Sequence, residues 1–253
     1  MDYTFQTDER LYFVMPFIEG GELYRIFAEY KKFHEIIVKF YISQIVMGLG
    51  KLHEKGIMHR DLKPENVMMC KDGYLKLIDF GLAKALMPNE LTSTYGGTAE
   101  YMAPELRKKP LSYNHTVDWW AVGVMAYEMA YGATPFFNRN RPKLNQNIVN
   151  VNYSFPSRIE TSDEFKDFIR KLLVKDPSQR LGANGAEEVL AHPWFGTDEE
   201  KSAILNKEIG APILPGENGE ILEQYYDFKG VERESRVPTK KINQDAFAGF
   251  GGR

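Results

Sequence analysis

The chain has 253 residues, 43% of them hydrophobic and 26% charged, with a formal net charge of −3. That length and balance suit one large globular domain, or a domain with an extended tail, and give no electrostatic case for a nucleic-acid or membrane-surface protein. The lone cysteine, Cys70, excludes an intrachain disulfide and suits a reducing setting, so a soluble, intracellular, cytoplasmic protein is expected.

Tyr3 and Phe5, a polar turn, and the apolar run at 11–15 predict a hairpin at the start of the chain. Gly20 and Gly21 break that pattern, and a short helix is predicted from near Glu22. Ile37, Tyr41, Ile45, Leu49 and Leu52 recur at helical spacing, with Gly56 ending the helix. Phe40, Ile42 and Val46 widen the apolar face, so this helix is expected to be buried on most sides. Two short strands at 67–70 and 74–78 follow, joined by a tight turn at Lys71, Asp72 and Gly73. Residues 79–105 lack periodicity, as in a long functional loop.

The next strong helix is predicted over 117–131, with Asp118 near its start, where a carboxylate suits orphan backbone donors. Its apolar stretch at 121–133 is broken by Glu128 and falls well short of the ~20 residues a membrane span needs. At the N-terminus, Asp2, Asp8, Glu9 and Arg10 interrupt any signal-peptide core. Helical patterns return at 163–174 and 186–191. After Phe195 glycine, proline and charged residues dominate, and 196–253 is expected to be an extended tail.

Four constellations carry chemistry. They are His59-Arg60-Asp61-Leu62-Lys63-Pro64-Glu65-Asn66, Asp79-Phe80-Gly81, Ala103-Pro104-Glu105 and Asp118-Trp119-Trp120-Ala121-Val122-Gly123. In this order they resemble the eukaryotic protein kinase family. The resemblance implies an α+β protein-kinase-like fold, mainly an α-helical C-lobe, with a remnant of the N-lobe sheet and an extended C-terminal tail. It implies transfer of the ATP γ-phosphate to protein hydroxyls, with ATP and Mg²⁺ as cofactors. Asp61 is the match for the carboxylate that orients the acceptor hydroxyl and takes its proton. Asn66 and Asp79 match the metal ligands, and Lys63 sits where it neutralises charge on the transferred group. Lys63 and Thr98 both fit the serine/threonine pattern rather than the tyrosine one. Arg60 matches the arginine that grips a phosphate on the activation loop, with Thr94 the expected donor and Thr92 and Ser93 its neighbours. Glu105 and Arg180 match a structural ion pair, and Asp118 a scaffold group that accepts backbone hydrogen bonds from the catalytic loop.

Three further features resemble the AGC group of cyclic-nucleotide-dependent, Akt-like and protein-kinase-C-like enzymes. They are the run 15–23, the paired Trp119 and Trp120, and the stretch 211–215 in the tail. That resemblance implies N-lobe strands over 1–15, a hinge over 16–22, a C-lobe over 23–195 and an AGC-type tail over 196–253. Met15, with the backbone of Pro16 and Ile18, is expected at adenine. Glu22, Glu65 and Glu128 are expected to read basic residues two and three positions before the acceptor, with Glu22 also near the ATP ribose and Glu65 and Asp79 lining the ATP site. Phe247 and Phe250 resemble a docking motif, although Gly251 follows where many members carry a phosphorylatable residue, and Thr239 is a further candidate phosphosite. Protein substrates and an upstream activating kinase are the expected partners. The sequence has no glycine-rich loop, no strand lysine and no helix-C glutamate of the family's small lobe. It is therefore expected to be an N-terminally truncated kinase, inactive alone, with an inactive binding or regulatory module as the alternative.

Overall fold

In the computed structural model, the described residues are 2–6, 10–87 and 90–215, with the backbone of 221–223. The predicted hairpin forms as β1 (Tyr3–Gln6) and β2 (Leu11–Val14), paired antiparallel with Tyr3 opposite Val14. Helix α1 (Leu23–Tyr30) starts where the two glycines end and buries Leu23, Ile26 and Phe27. Helix α2 (Glu35–His53) is buried on most sides, as its apolar pattern requires. Strand β3 (Ile57–Met58) leads out of it, followed by the hairpin of β4 (Val67–Met69) and β5 (Leu75–Leu77). The short strand β6 (Lys84–Ala85) pairs antiparallel with β3, inside the segment expected to be loop.

The centre of the core is α3 (Thr116–Tyr131), whose residues are buried at every position except Glu128. It packs against α2 and against α5 (Asp163–Leu172). Gly123 permits the second contact, because a Cβ there would lie 2.9 Å from the Leu172 Cβ. Trp119 and Trp120 are wholly buried, and Trp120 stacks on Phe136 with ring centroids 5.4 Å apart. Glu35 ties α2 to α5 and to the segment that follows it, accepting from the Ser162 N–H at 2.7 Å and the Trp194 indole N–H at 3.0 Å.

Two helices depart from the sequence reading. Helix α4 (Arg141–Asn150) buries only Leu144 and Ile148, too sparse an apolar set to show a period. After α6 (Ala186–Leu190), helix α7 (Asp198–Leu205) occupies the start of the segment expected to be an extended tail. A reciprocal capping box between Thr197 and Glu200 starts it, replacing apolar periodicity as the cause of the helix. The chain then runs extended into β7 (Ile213–Pro215), which pairs with β8 (Ile221–Glu223). That segment lies on the β4–β5 turn, where Gly73 has φ +77° and any Cβ would collide with Ala211 and the Ile213 carbonyl. The fold is that of a helix-rich α+β lobe with few strands. Among the described residues no helix is long and apolar enough to cross a membrane.

Candidate active site

The loop after β3 hangs from α3 through one buried carboxylate. Asp118 accepts the backbone N–H of His59 at 2.9 Å, that of Arg60 at 2.8 Å, and a 2.8 Å hydrogen bond with His53 Nε2. Burial alone would push the Asp118 carboxyl up, but the His53 contact and the two N–H donors hold it below the usual range. Of the two roles the sequence suggested for Asp118, capping its own helix start is therefore corrected. Its oxygens serve the loop at His59 and Arg60, and α2, instead. Arg60 and Asp79 both stand in the left-handed region, with φ +67° and +58°, a conformation that costs non-glycine residues about 1–3 kcal/mol and needs such anchoring.

Asp61 sits at the centre of the loop. Its Oδ1 accepts the Thr98 hydroxyl at 2.8 Å, and its Oδ2 lies 3.1 Å from both the Lys63 ammonium and the Asn66 amide nitrogen. The same amide donates to the Asp61 carbonyl at 2.8 Å, and Lys63 also donates to the Thr98 hydroxyl at 3.0 Å. Partial burial raises the Asp61 carboxyl, but Thr98 and Lys63 outweigh it and hold the group ionised, below its ordinary value. The Ile78 N–H donates to the Asn66 carbonyl at 3.0 Å, which places Asp79 beside the loop. His59 packs its ring against Phe80 and bonds the Ile78 carbonyl at 3.0 Å.

With its nitrogen committed to Asp61, the Asn66 amide presents its oxygen on the other side. Asp79 Oδ1 accepts the Gly81 N–H at 3.0 Å, leaving Oδ2 on an exposed side chain. Among the described residues no group of three or more His, Cys, Asp or Glu side chains can hold a metal. A carboxylate and an amide oxygen with room for water and phosphate oxygens fit the sparse protein ligation of Mg²⁺.

The segment 79–105 is held at both ends. Arg180 is 1% exposed and spends all five donors: two on Glu105 at 2.7 and 3.0 Å, two on the Val174 carbonyl, and one on the Thr116 carbonyl. Arg60 donates to the Leu82 carbonyl at 2.5 Å and to the Tyr113 hydroxyl at 3.1 Å, and Tyr113 in turn donates to the Thr94 carbonyl. Lys84 donates to the Thr92 hydroxyl at 2.8 Å. Thr92 is buried, whereas Ser93 and Thr94 are exposed. Sequence reasoning missed Tyr113 and Lys84, since neither lies in a motif and only the folded loop brings them to Arg60 and Thr92.

Around this centre lies an acidic rim. Glu22 bridges to Met68 at the start of α1, and α1 packs on the turn Pro64–Asn66 that carries Glu65. Glu65 has one buried carboxylate oxygen without a hydrogen-bond partner among the described residues. Glu128 accepts the Tyr101 hydroxyl. Burial pushes the Glu128 carboxyl up to about 7; Tyr101 opposes this, and Glu65 and Glu100 add to it. Met15 is 61% exposed, and Pro16 is exposed beside it, with Ile18 half-buried. Arg107, half-buried against Ala99 and Asn145, is a further charged group that the motifs did not flag. Phe247, Phe250 and Thr239 lie outside the described residues.

Comparison with known proteins matches residues 1–195 to the protein kinase domain. The chain is 43% identical over 215 residues to cAMP-dependent protein kinase type 3 of Saccharomyces cerevisiae, covering 84% of this chain and 52% of the yeast protein. It is 40% identical over 265 residues to serine/threonine-protein kinase Sgk1 of Xenopus tropicalis, covering 99% of this chain and 62% of that protein. A probable serine/threonine-protein kinase of Dictyostelium discoideum is 37% identical over 257 residues, 99% of this chain and 56% of its own length. The chain thus spans about half the length of these relatives.

Proposed function

The chain belongs to the protein kinase domain family, among relatives that are AGC-type serine/threonine kinases, and from that premise we propose that it carries the phosphoryl-transfer centre of such an enzyme. The observation that carries the reading is the Asp61 cluster, an ionised carboxylate oriented by Thr98, Lys63 and Asn66. Asp61 orients the acceptor hydroxyl and takes its proton. Lys63 faces the negative charge of the reacting phosphate. ATP supplies the phosphoryl group, and Mg²⁺ neutralises its phosphates when bound. Asn66 and Asp79 would hold that ion through oxygen, and Met15, Pro16, Ile18, Glu22 and Glu65 would line the nucleotide side.

Substrates are proteins with arginine or lysine two and three positions before the serine or threonine. Support comes from the acidic rim, above all the unpartnered Glu65 oxygen and the Glu128 carboxyl, both under-compensated by protein donors. Thr94 is the regulatory phosphosite for an upstream kinase. It is exposed, and its carbonyl is already tied through Tyr113 to Arg60.

The test is transfer of labelled phosphate from ATP to serine peptides of varied sequence, by this chain joined to a kinase small lobe. Arg-containing peptides are expected to be preferred, and Asp61→Asn should lower kcat by about 10²–10⁴-fold. Undiminished transfer by the variant would refute the role of Asp61, and a proline-directed preference would refute the substrate class.

A further inference from the structure

The side chain of Arg107 leaves the turn Pro104–Arg107 and reaches towards the loop that carries Thr98. One terminal nitrogen donates to the Ala99 carbonyl, one residue beyond the threonine whose hydroxyl marks Asp61. The other donates to Asn145 on α4. Both partners are neutral. Among the described residues the enclosed Nε has no hydrogen-bond partner and the guanidinium no ion-pair carboxylate. Burial disfavours the charge of this guanidinium most, Tyr95 and Glu100 favour it from farther off, and Arg141 repels it. Arg141 stands one turn before Asn145 on the same face of α4, so a second cation acts on Arg107 from the helix that its guanidinium contacts.

A half-buried guanidinium with neutral partners, a spare charge and a second cation at its side is an incomplete anion site. We propose that Arg107, assisted by Arg141, reads an anionic side chain, a carboxylate or a phosphate, on the substrate just after the acceptor residue. The side of the acceptor follows from charge. Glu22, Glu65 and Glu128 take the basic residues that precede it, so a cationic recognition group serves the opposite end of the same strand. This inference rests on the proposed kinase function and adds a second half to its substrate class.

Peptide affinity, read by fluorescence anisotropy, tests it without requiring turnover. Peptides would share two arginines before the serine and differ at the three following positions, carrying glutamate, phosphoserine or alanine. An anion at one of these positions is expected to tighten binding about tenfold over alanine, the scale of one charge-assisted contact. Glutamate and phosphoserine arms separate a carboxylate preference from a phosphate one. Arg107→Gln should reduce the ratio to below about twofold, with Arg107→Lys retaining part of it. Arg141→Glu, at an exposed position, should weaken the ratio about threefold or more without touching the Ala99 contact. Equal affinity for anionic and alanine peptides in the parent protein would overturn this inference alone. An absence of binding whatever follows the acceptor would overturn it together with the substrate class.

Discussion

Arg180, under the segment 79–105, and Arg60 and Arg107, at the rim of the site, are all drawn out of full exposure, but they are completed differently. Arg180 has a carboxylate and three carbonyl contacts for its five donors. Arg60 and Arg107 each have two donors matched among the described residues, all to neutral oxygens. The carboxylates divide in the same way. Asp118 is buried with donors on both oxygens and titrates low, whereas Glu128 is pushed up to about 7 and Glu65 keeps an oxygen unpartnered among the described residues. A fully matched buried charge has nothing left to offer a ligand. Its role is to fix geometry. An unmatched one has a standing electrostatic deficit that a partner of opposite sign removes.

Breaking the matched set should have the largest effect. Arg180→Ala leaves Glu105 without its ion pair and three backbone contacts without a donor. A loss of about 3–5 kcal/mol is expected, measured by denaturant unfolding. A loss below about 1 kcal/mol would place Arg180 among the rim groups. Next in size is Thr94→Ala in the activated protein. A phosphate at Thr94 would find the spare Arg60 donors one tyrosine away, and each charge-assisted hydrogen bond contributes about 1.5–3 kcal/mol. The variant should fall about tenfold or more in kcat/KM. Mass spectrometry of the parent protein should locate the modification at Thr94 and leave buried Thr92 unmodified.

The division also explains what the sequence made legible. Matched, buried positions announce themselves: the α2 periodicity, the apolar run of α3, Asp118, and the Glu105–Arg180 pair follow from apolar pattern and motif. Rim elements do not. Helix α4 presents ten residues with two buried, and its proline at the first turn reads as a breaker when it is a helix start. The Thr197–Glu200 capping box was visible in the sequence, yet the fading of apolar period around it masked α7. Tyr113, Lys84 and Arg107 belong to no motif, and their importance arises only where the folded loop brings them beside Arg60, Thr92 and Ala99.

A smaller effect, on pH dependence, follows from Glu128. Its folded-state pKa is raised to about 7 from an ordinary 4.5, so the folded protein holds that proton more tightly than the unfolded chain. Its contribution therefore favours folding at low pH and is lost as pH rises from 4.5 through about 7. Substrate recognition runs the other way. Only the ionised form attracts arginine, so KM for a basic peptide should fall as pH rises through about 7, by up to about tenfold between pH 6 and pH 8. Glu128→Gln should flatten that profile while raising KM at pH 8. An unchanged profile would remove Glu128 from the recognising set.

The smallest effect should come from Arg107→Met, the rim counterpart of the Arg180 substitution. The variant loses two hydrogen bonds, to Asn145 and to the Ala99 carbonyl, each worth about 1 kcal/mol net. It also removes a guanidinium that burial and Arg141 both disfavour, with an enclosed Nε that has no partner among the described residues. Methionine fills much of the same volume with an apolar chain, and isosteric replacement of under-compensated buried charge is often neutral. Stability is therefore expected to change by less than about 1 kcal/mol, against about 3–5 for Arg180. A loss at Arg107 as large as at Arg180 would mean that the two neutral carbonyl and amide contacts complete this guanidinium after all. The distinction between scaffold and rim arginines would then fail at its most exposed point.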